Sequence, residues 1–189
     1  MLIIEGSDLT GKTTLAKRLV EELKHEGYIY RHLSRLPDGF DRYWGYRDLA
    51  CLRIVQDRFH MSEPVYARVR GDDTCLTPET YRLVDGMLRG MGALTVVLAC
   101  QDDGLIENRW REGEMYRISE VKYANDQYMA VVSGQFAPYS QMDYDYVIME
   151  THSSPFPTEQ DIHNILQCYR ARQNRLFAVA NSPRKPNTL

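Results

Sequence analysis

Residues 1–23 read MLIIEGSDLTGKTTLAKRLVEEL, and the reading of the fold turns on them. A short apolar run that stops at a glycine is the pattern of a strand buried on both faces. Gly6 and Gly11 allow tight turns that bring backbone N–H groups together around phosphate oxygens. Lys12 can then reach the β and γ phosphates of ATP, and the Thr13 hydroxyl is placed to ligate Mg²⁺. After the loop, Leu15, Leu19, Val20 and Leu23 recur at helical spacing while Lys17, Arg18, Glu21 and Glu22 face out, and Gly27 closes the helix. The helix adds its positive N-terminal end to the loop. Average residue frequencies give a chance match of this motif odds of roughly one in a hundred or less. Gly6, Leu9, Thr10, Gly11, Lys12, Thr13 and Thr14 are therefore the candidate ATP-binding residues.

Strands and helices alternate through the rest of the chain. Residues 28–30 read as a second strand, 52–57 as a third, 94–100 as a fourth and 145–150 as a fifth. Pro78 opens a helix with Leu83, Val84, Met87 and Leu88 as its apolar positions. Residues 105–133 are charged and mostly helix-forming, and a last helix runs from Thr158 to about Gln173. This alternation predicts an α/β fold, a parallel sheet of about five strands covered by helices on both faces. Ligands are expected at the carboxyl ends of the strands.

The 189 residues fit one domain, and 43% hydrophobic with 26% charged residues is ordinary for a soluble globular protein. We read 1–180 as a single domain and 181–189 as a flexible tail. No apolar run approaches the roughly 18–20 residues that span a bilayer. With no export signal and four widely spaced cysteines, the expectation is a cytoplasmic protein without membrane contact or a zinc site. A net charge of −3 without a basic run weakens a DNA-binding reading.

Among P-loop proteins, a guanine-specific switch is disfavoured because no Asn-Lys-x-Asp follows a later strand. The chain is short for a motor, which leaves a small-molecule kinase. EGSDLTGKTT (5–14) resembles the thymidylate kinase family's Glu-Gly-x-Asp-x-x-Gly-Lys-[Ser/Thr]-Thr, especially in its bacteriophage members. Ser34-Arg35-Leu36-Pro37-Asp38-Gly39 resembles that family's Thr-Arg-Glu-Pro-Gly-Gly. Asp57-Arg58-Phe59-His60-Met61-Ser62 resembles Asp-Arg-Tyr-x-x-Ser, and Tyr66 keeps the spacing to an Ala-Tyr-Gln element. The resemblance implies a P-loop kinase fold with a short helical lid over about 105–122, ATP and Mg²⁺ as cofactors, and a homodimer. It implies that Asp8 accepts from a deoxyribose 3′-hydroxyl, that Arg58 and Arg35 hold the acceptor phosphate, and that Asp57 supports the metal through water with Thr13. Phe59, Ser62 and Tyr66 complete the acceptor set. The segment Arg109-Trp110-Arg111-Glu112-Gly113-Glu114-Met115-Tyr116-Arg117 resembles the arginine-bearing lid of members whose loop, like this one with Leu9, lacks an arginine. Arg109, Arg111 or Arg117 would then close over the γ-phosphate beside Lys12 and Asp57.

The departure lies between Arg35 and Asp57. Thymidylate kinases carry there a helix whose Phe and Arg hold the base, whereas this chain has only 21 residues, LPDGFDRYWGYRDLACLRIVQ. Phe40, Tyr43, Trp44 and Tyr46 are a candidate replacement surface or simply core. The leading expectation is transfer of the ATP γ-phosphoryl group to a deoxynucleoside monophosphate, thymidylate or a modified relative. The alternative is a hydroxyl acceptor, either a deoxynucleoside or a hydroxymethylated pyrimidine in phage DNA, with Asp8, Asp57 or Glu63 as base. A third, weaker reading is a nucleotide-binding protein without catalysis.

Overall fold

The computed structural model describes residues 1–180 except 35, 38, 140, 141, 143 and 152–156. Arg35, Asp38 and the expected tail 181–189 lie outside the described residues. Five strands, β1 (Leu2–Gly6), β2 (Ile29–His32), β3 (Ile54–Asp57), β4 (Leu94–Cys100) and β5 (Tyr146–Glu150), form one sheet in the order β2-β3-β1-β4-β5. Every pairing is parallel, with Leu2 opposite Val55 on one side and Leu94 on the other. β1 and β4 are buried along their whole length, which is why both read as unbroken apolar runs.

The helices are α1 (Lys12–Leu23), α2 (Arg42–Leu49), α3 (Ser62–Arg70), α4 (Pro78–Gly90), α5 (Asp103–Arg109), α6 (Ile118–Val132) and α7 (Glu159–Ala180). Side chains alternate across β1, so Leu2 and Ile4 meet Leu15 and Leu19 of α1 and Ile165 of α7 on one face. Ile3 faces the other layer with Val65 of α3, Val84 and Leu88 of α4, and Tyr128 of α6. The sheet is thus sandwiched between helices, the α/β architecture with about five parallel strands anticipated from the chain. No described helix is long and apolar enough to cross a membrane.

Several boundaries differ from the sequence reading. β2 is displaced to Ile29–His32 and α7 continues past Gln173 to Ala180. In α4 the buried stripe is Tyr81, Val84, Asp85 and Leu88, while Leu83 is exposed on the opposite side. The charged stretch 105–133 holds two helices, separated where Trp110 leaves helical geometry and Gly113 turns at φ 96°. The short helices α2 and α3 are new. Asp41 caps α2 by accepting from the Trp44 amide at 3.0 Å, and Gly71 ends α3 at φ 69°.

Two glycines give opposite predictions. A Cβ on Gly6, at φ 150°, would stand 2.5 Å from the Leu98 carbonyl oxygen. Gly6→Ala is expected to cost about 2 kcal/mol or more. Gly86 lies inside α4 with nothing within 4 Å of a built Cβ. Gly86→Ala should raise stability by about 0.5–1 kcal/mol, and urea unfolding midpoints of both variants check the pair.

Candidate functional site

The site forms where β1, β2, β3 and β4 end. Between β1 and α1 the chain turns through Leu9 at φ 66° and Gly11 at φ 83°. Thr10 Oγ1 donates to the Ser7 carbonyl at 2.8 Å and fixes the loop from within. Lys12 is buried, with Nζ donating to the Ser7 carbonyl and lying 3.9 Å from Asp8 Oδ1. Burial pushes its ammonium down to about 8, against the pull of the Asp57 and Glu5 carboxylates. Thr14 is exposed.

Asp57 closes β3 directly beside this loop. Its Oδ2 accepts from Thr13 Oγ1 at 2.6 Å and from the Tyr30 hydroxyl at 3.0 Å, and His32 Nδ1 stands 3.5 Å away. Its Oδ1 is buried without a partner. Tyr30 and His32 were not singled out from the sequence. The strand register supplies the signal, since His32 pairs with Asp57 across β2 and β3.

Arg58 follows at φ 63°, a conformation rare for a side chain of this size. Its guanidinium pairs with Asp8, reaches the Tyr66 hydroxyl at 3.3 Å and lies 4.6 Å over the Tyr66 ring. The Tyr66 hydroxyl donates to Asp8 Oδ2 at 3.1 Å, so the three predicted residues Asp8, Arg58 and Tyr66 form one cluster. Burial pushes the Tyr66 phenol up to about 12.

Glu5 underlies that cluster, and sequence reasoning gave it no role. Although it sits within the wholly buried β1, its carboxylate accepts from the amides of Phe59 and Met61 at 3.0 Å each and from Ser62 Oγ at 2.5 Å. The Tyr128 hydroxyl adds a fourth bond at 3.3 Å. Burial raises the Glu5 pKa, while the charge of His60 and the bonds from Ser62, Phe59 and Met61 oppose the rise. A carboxylate one residue before a strand's end, in a run otherwise apolar, was the available signal.

Two cavities meet at the cluster. One, of about 200 Å³, is bounded by Asp8, Leu9, Gly11, Lys12, Thr13 and Thr14. The other, of about 260 Å³, includes Phe59, Ser62, Tyr66, Arg70, Met115 and Tyr116 in its lining. His32 and Arg58 line both. Tyr46 also lines the second cavity, and its hydroxyl donates to Glu63 at 2.8 Å while Arg42 Nε donates to the other Glu63 oxygen at 2.7 Å. Phe40 and Trp44 are exposed, and Tyr43 packs edge-on against Trp44 at 5.5 Å, so of the α2-region aromatics only Tyr46 lines this space.

The three arginines of the expected lid are not gathered over the loop between β1 and α1 in this structure. Arg109 holds Glu150 with both terminal nitrogens, at 2.6 and 2.5 Å, and donates to the Leu9 carbonyl at 3.0 Å. It therefore braces the loop from the β5 side. Arg111 is exposed and donates to the Asn108 and Trp110 carbonyls at 2.7 Å. Arg117 is exposed too, and its backbone N–H donates to Glu120 at 2.7 Å to start α6. Glu107 pairs with Lys122.

A scan against family models finds no match, and a comparison with curated proteins finds none either. Among solved structures, the YorR protein of Bacillus subtilis in complex with phosphorylated GDP superposes with a TM-score of 0.70. It is 22% identical, over 92% of this chain and 97% of that one. A likeness at this identity speaks for the fold alone. A second structure, of APE1195, reaches a TM-score of 0.42 at 18% identity over 92% and 94% of the two chains, and carries no argument.

Two predictions test the buried charges. Lys12 loses its proton more readily when folded, so the unfolded chain binds the extra proton between pH 8 and 10.5. Stability from this group accordingly rises with pH across that window, and at neutral pH its burial costs about 3 kcal/mol. Lys12→Met should exceed the wild type in stability at pH 7, with the gap closing toward pH 10.5 in urea titrations. Glu5→Ala strands two amides and two hydroxyls and should cost about 3 kcal/mol or more. Glu5→Gln, which still offers an acceptor, should lose much less in the same assay.

Proposed function

We propose that this chain is an ATP-dependent kinase transferring the γ-phosphoryl group to a deoxynucleoside monophosphate, with thymidylate or a modified relative as acceptor. The observation that carries the reading is the meeting of two cavities at Arg58, one built on a phosphate loop and the other a roofed apolar space. ATP would seat its phosphates on the loop, with Lys12 exchanging its Ser7 carbonyl for phosphate oxygens. The acceptor would place its phosphate at Arg58 and its base among Phe59, Tyr66 and Tyr116. An acceptor phosphate oxygen is already anionic. It attacks the γ-phosphorus as the bond to the β-bridging oxygen breaks, ADP leaves, and no proton has to be removed by a strong base.

The Thr13 hydroxyl and Asp57 fit Mg²⁺, because the buried Oδ1 of Asp57 has no partner within the protein and oxygen ligands suit that ion. When bound, the ion would neutralise phosphate charge. Arg58 holds and orients the acceptor phosphate through a guanidinium fork. Arg109 keeps the Leu9 carbonyl in place, and Arg111 and Arg117 remain on a lid segment that has to move to reach the phosphates.

The hydroxyl-acceptor alternative wants a carboxylate free to take a proton. Asp8 is held by Arg58 and Tyr66, Glu63 by Arg42 and Tyr46, and Asp57 accepts from Thr13 and Tyr30 at one oxygen while the other is assigned to the metal in this reading. Those engagements favour the monophosphate. The deciding experiment offers labelled ATP to the deoxynucleoside monophosphates, to nucleosides, and to DNA with and without hydroxymethylated pyrimidines. Label in a diphosphate is expected, with Lys12→Ala lowering turnover about 100-fold or more. Arg58→Ala should chiefly raise the KM for the acceptor. Label only in DNA or nucleoside, or near-normal turnover in Lys12→Ala, would overturn the proposal.

A further inference from the structure

We propose that Arg70 reads the base of the acceptor and selects bases whose distal edge carries a keto oxygen, as in thymine, uracil and guanine. This rests on the reading of the larger cavity as a nucleotide acceptor site. Ser62, Tyr66 and Arg70 stand four residues apart along α3 and all line that cavity. The space therefore runs along one face of the helix. Arg58 is the cation at the end beside the phosphate loop, and Arg70 lies about 12 Å along the axis from Ser62 at 1.5 Å rise per residue.

Besides the two cations, the same lining includes Leu33, Leu36, Phe59 and the Tyr66–Tyr116 pair, whose ring centres are 5.4 Å apart. Such walls suit a flat ring. A phosphate at Arg58 then directs the base toward Arg70. Arg70 is fixed for recognition. Its Nε donates to Asp72 Oδ2 at 2.7 Å just past the helix end, where Gly71 turns the chain. A guanidinium has donors only. It pairs with a keto oxygen and opposes an exocyclic amino group at the same edge. The one carboxylate lining this cavity among the described residues, Glu63, is engaged by Arg42 and Tyr46 and does not serve an amino group. Among the described residues between positions 35 and 57, one short helix, α2, precedes β3, and it contributes Tyr46 to the cavity while Trp44 is exposed.

The test measures equilibrium binding and, separately, kcat/KM for dTMP, dUMP, dGMP, dCMP and dAMP. It compares the wild type with Arg70→Gln, whose amide can both donate and accept, and with Arg70→Lys, which keeps charge without the fork. Thermal midpoints establish that each variant is folded. The wild type should prefer keto over amino bases by about 10- to 100-fold, the discrimination a paired guanidinium contact confers on a base edge. Arg70→Gln should bring that ratio to within about threefold, and Arg70→Lys should leave an intermediate ratio. Equal binding of dCMP and dTMP by the wild type, or an unchanged ratio in both variants, overturns the assignment. A keto preference in binding without phosphoryl transfer upholds Arg70 and overturns the kinase reading. Transfer without base preference does the reverse, and absence of binding by every monophosphate overturns both.

Discussion

The Glu5 carboxylate, buried in the central strand, holds the Arg58 side of the site in place. It gathers two amides and two hydroxyls from the segment after β3 and from α6. Desolvation works against the charge, and the four donors offset that cost locally. The arrangement fixes the segment that follows a strained point, because Arg58 adopts a positive φ that few arginines tolerate. With Phe59, Met61 and Ser62 anchored to β1, the backbone at Arg58 has little freedom to relax. The guanidinium is thereby delivered to the edge of the phosphate loop.

This dependence explains the division between what the chain disclosed and what it concealed. The loop Gly6–Thr14 and the strands β1 and β4 were legible because each rests on local chemistry: glycine turns, a lysine at a helix start, runs buried on both faces. Asp57 and Arg58 were legible as a pair at a strand end. Glu5, Tyr30 and His32 were not, because their roles arise from strand register, and β2 meets β3 only after the crossover is made. Leu83 was misplaced for a related reason. Its helix presents Tyr81 and the polar Asp85 inward, and a count of aliphatic residues alone rotates the stripe.

The segment 109–117, expected as a lid, illustrates a further limit. Three arginines close in sequence suggested one shared target, yet the turn at Trp110–Gly113 sends them apart. Arg109 stays with the helix and finds Glu150 at the end of β5, some forty positions later. Arg111 and Arg117 lie beyond the break and face solvent. A short helix followed by a glycine turn therefore distributes like charges between a bracing position and exposed ones, which spacing along the chain does not reveal.

The cations of the phosphate-loop side are already engaged by oxygens of the protein itself, although the buried Nε of Arg58 has no partner among the described residues. Lys12 is held by the Ser7 carbonyl, and Arg58 by Asp8 and the Tyr66 hydroxyl. A ligand entering here does not meet a bare positive pocket; it exchanges places with internal oxygens. Each exchange subtracts from the attraction of any single anion, so small free anions gain little by entering. A ligand that also filled the apolar cavity beside α3 would gain from burying its own apolar surface there. Self-coordination of this kind turns a generic anion trap into a filter for the size and shape of the whole molecule.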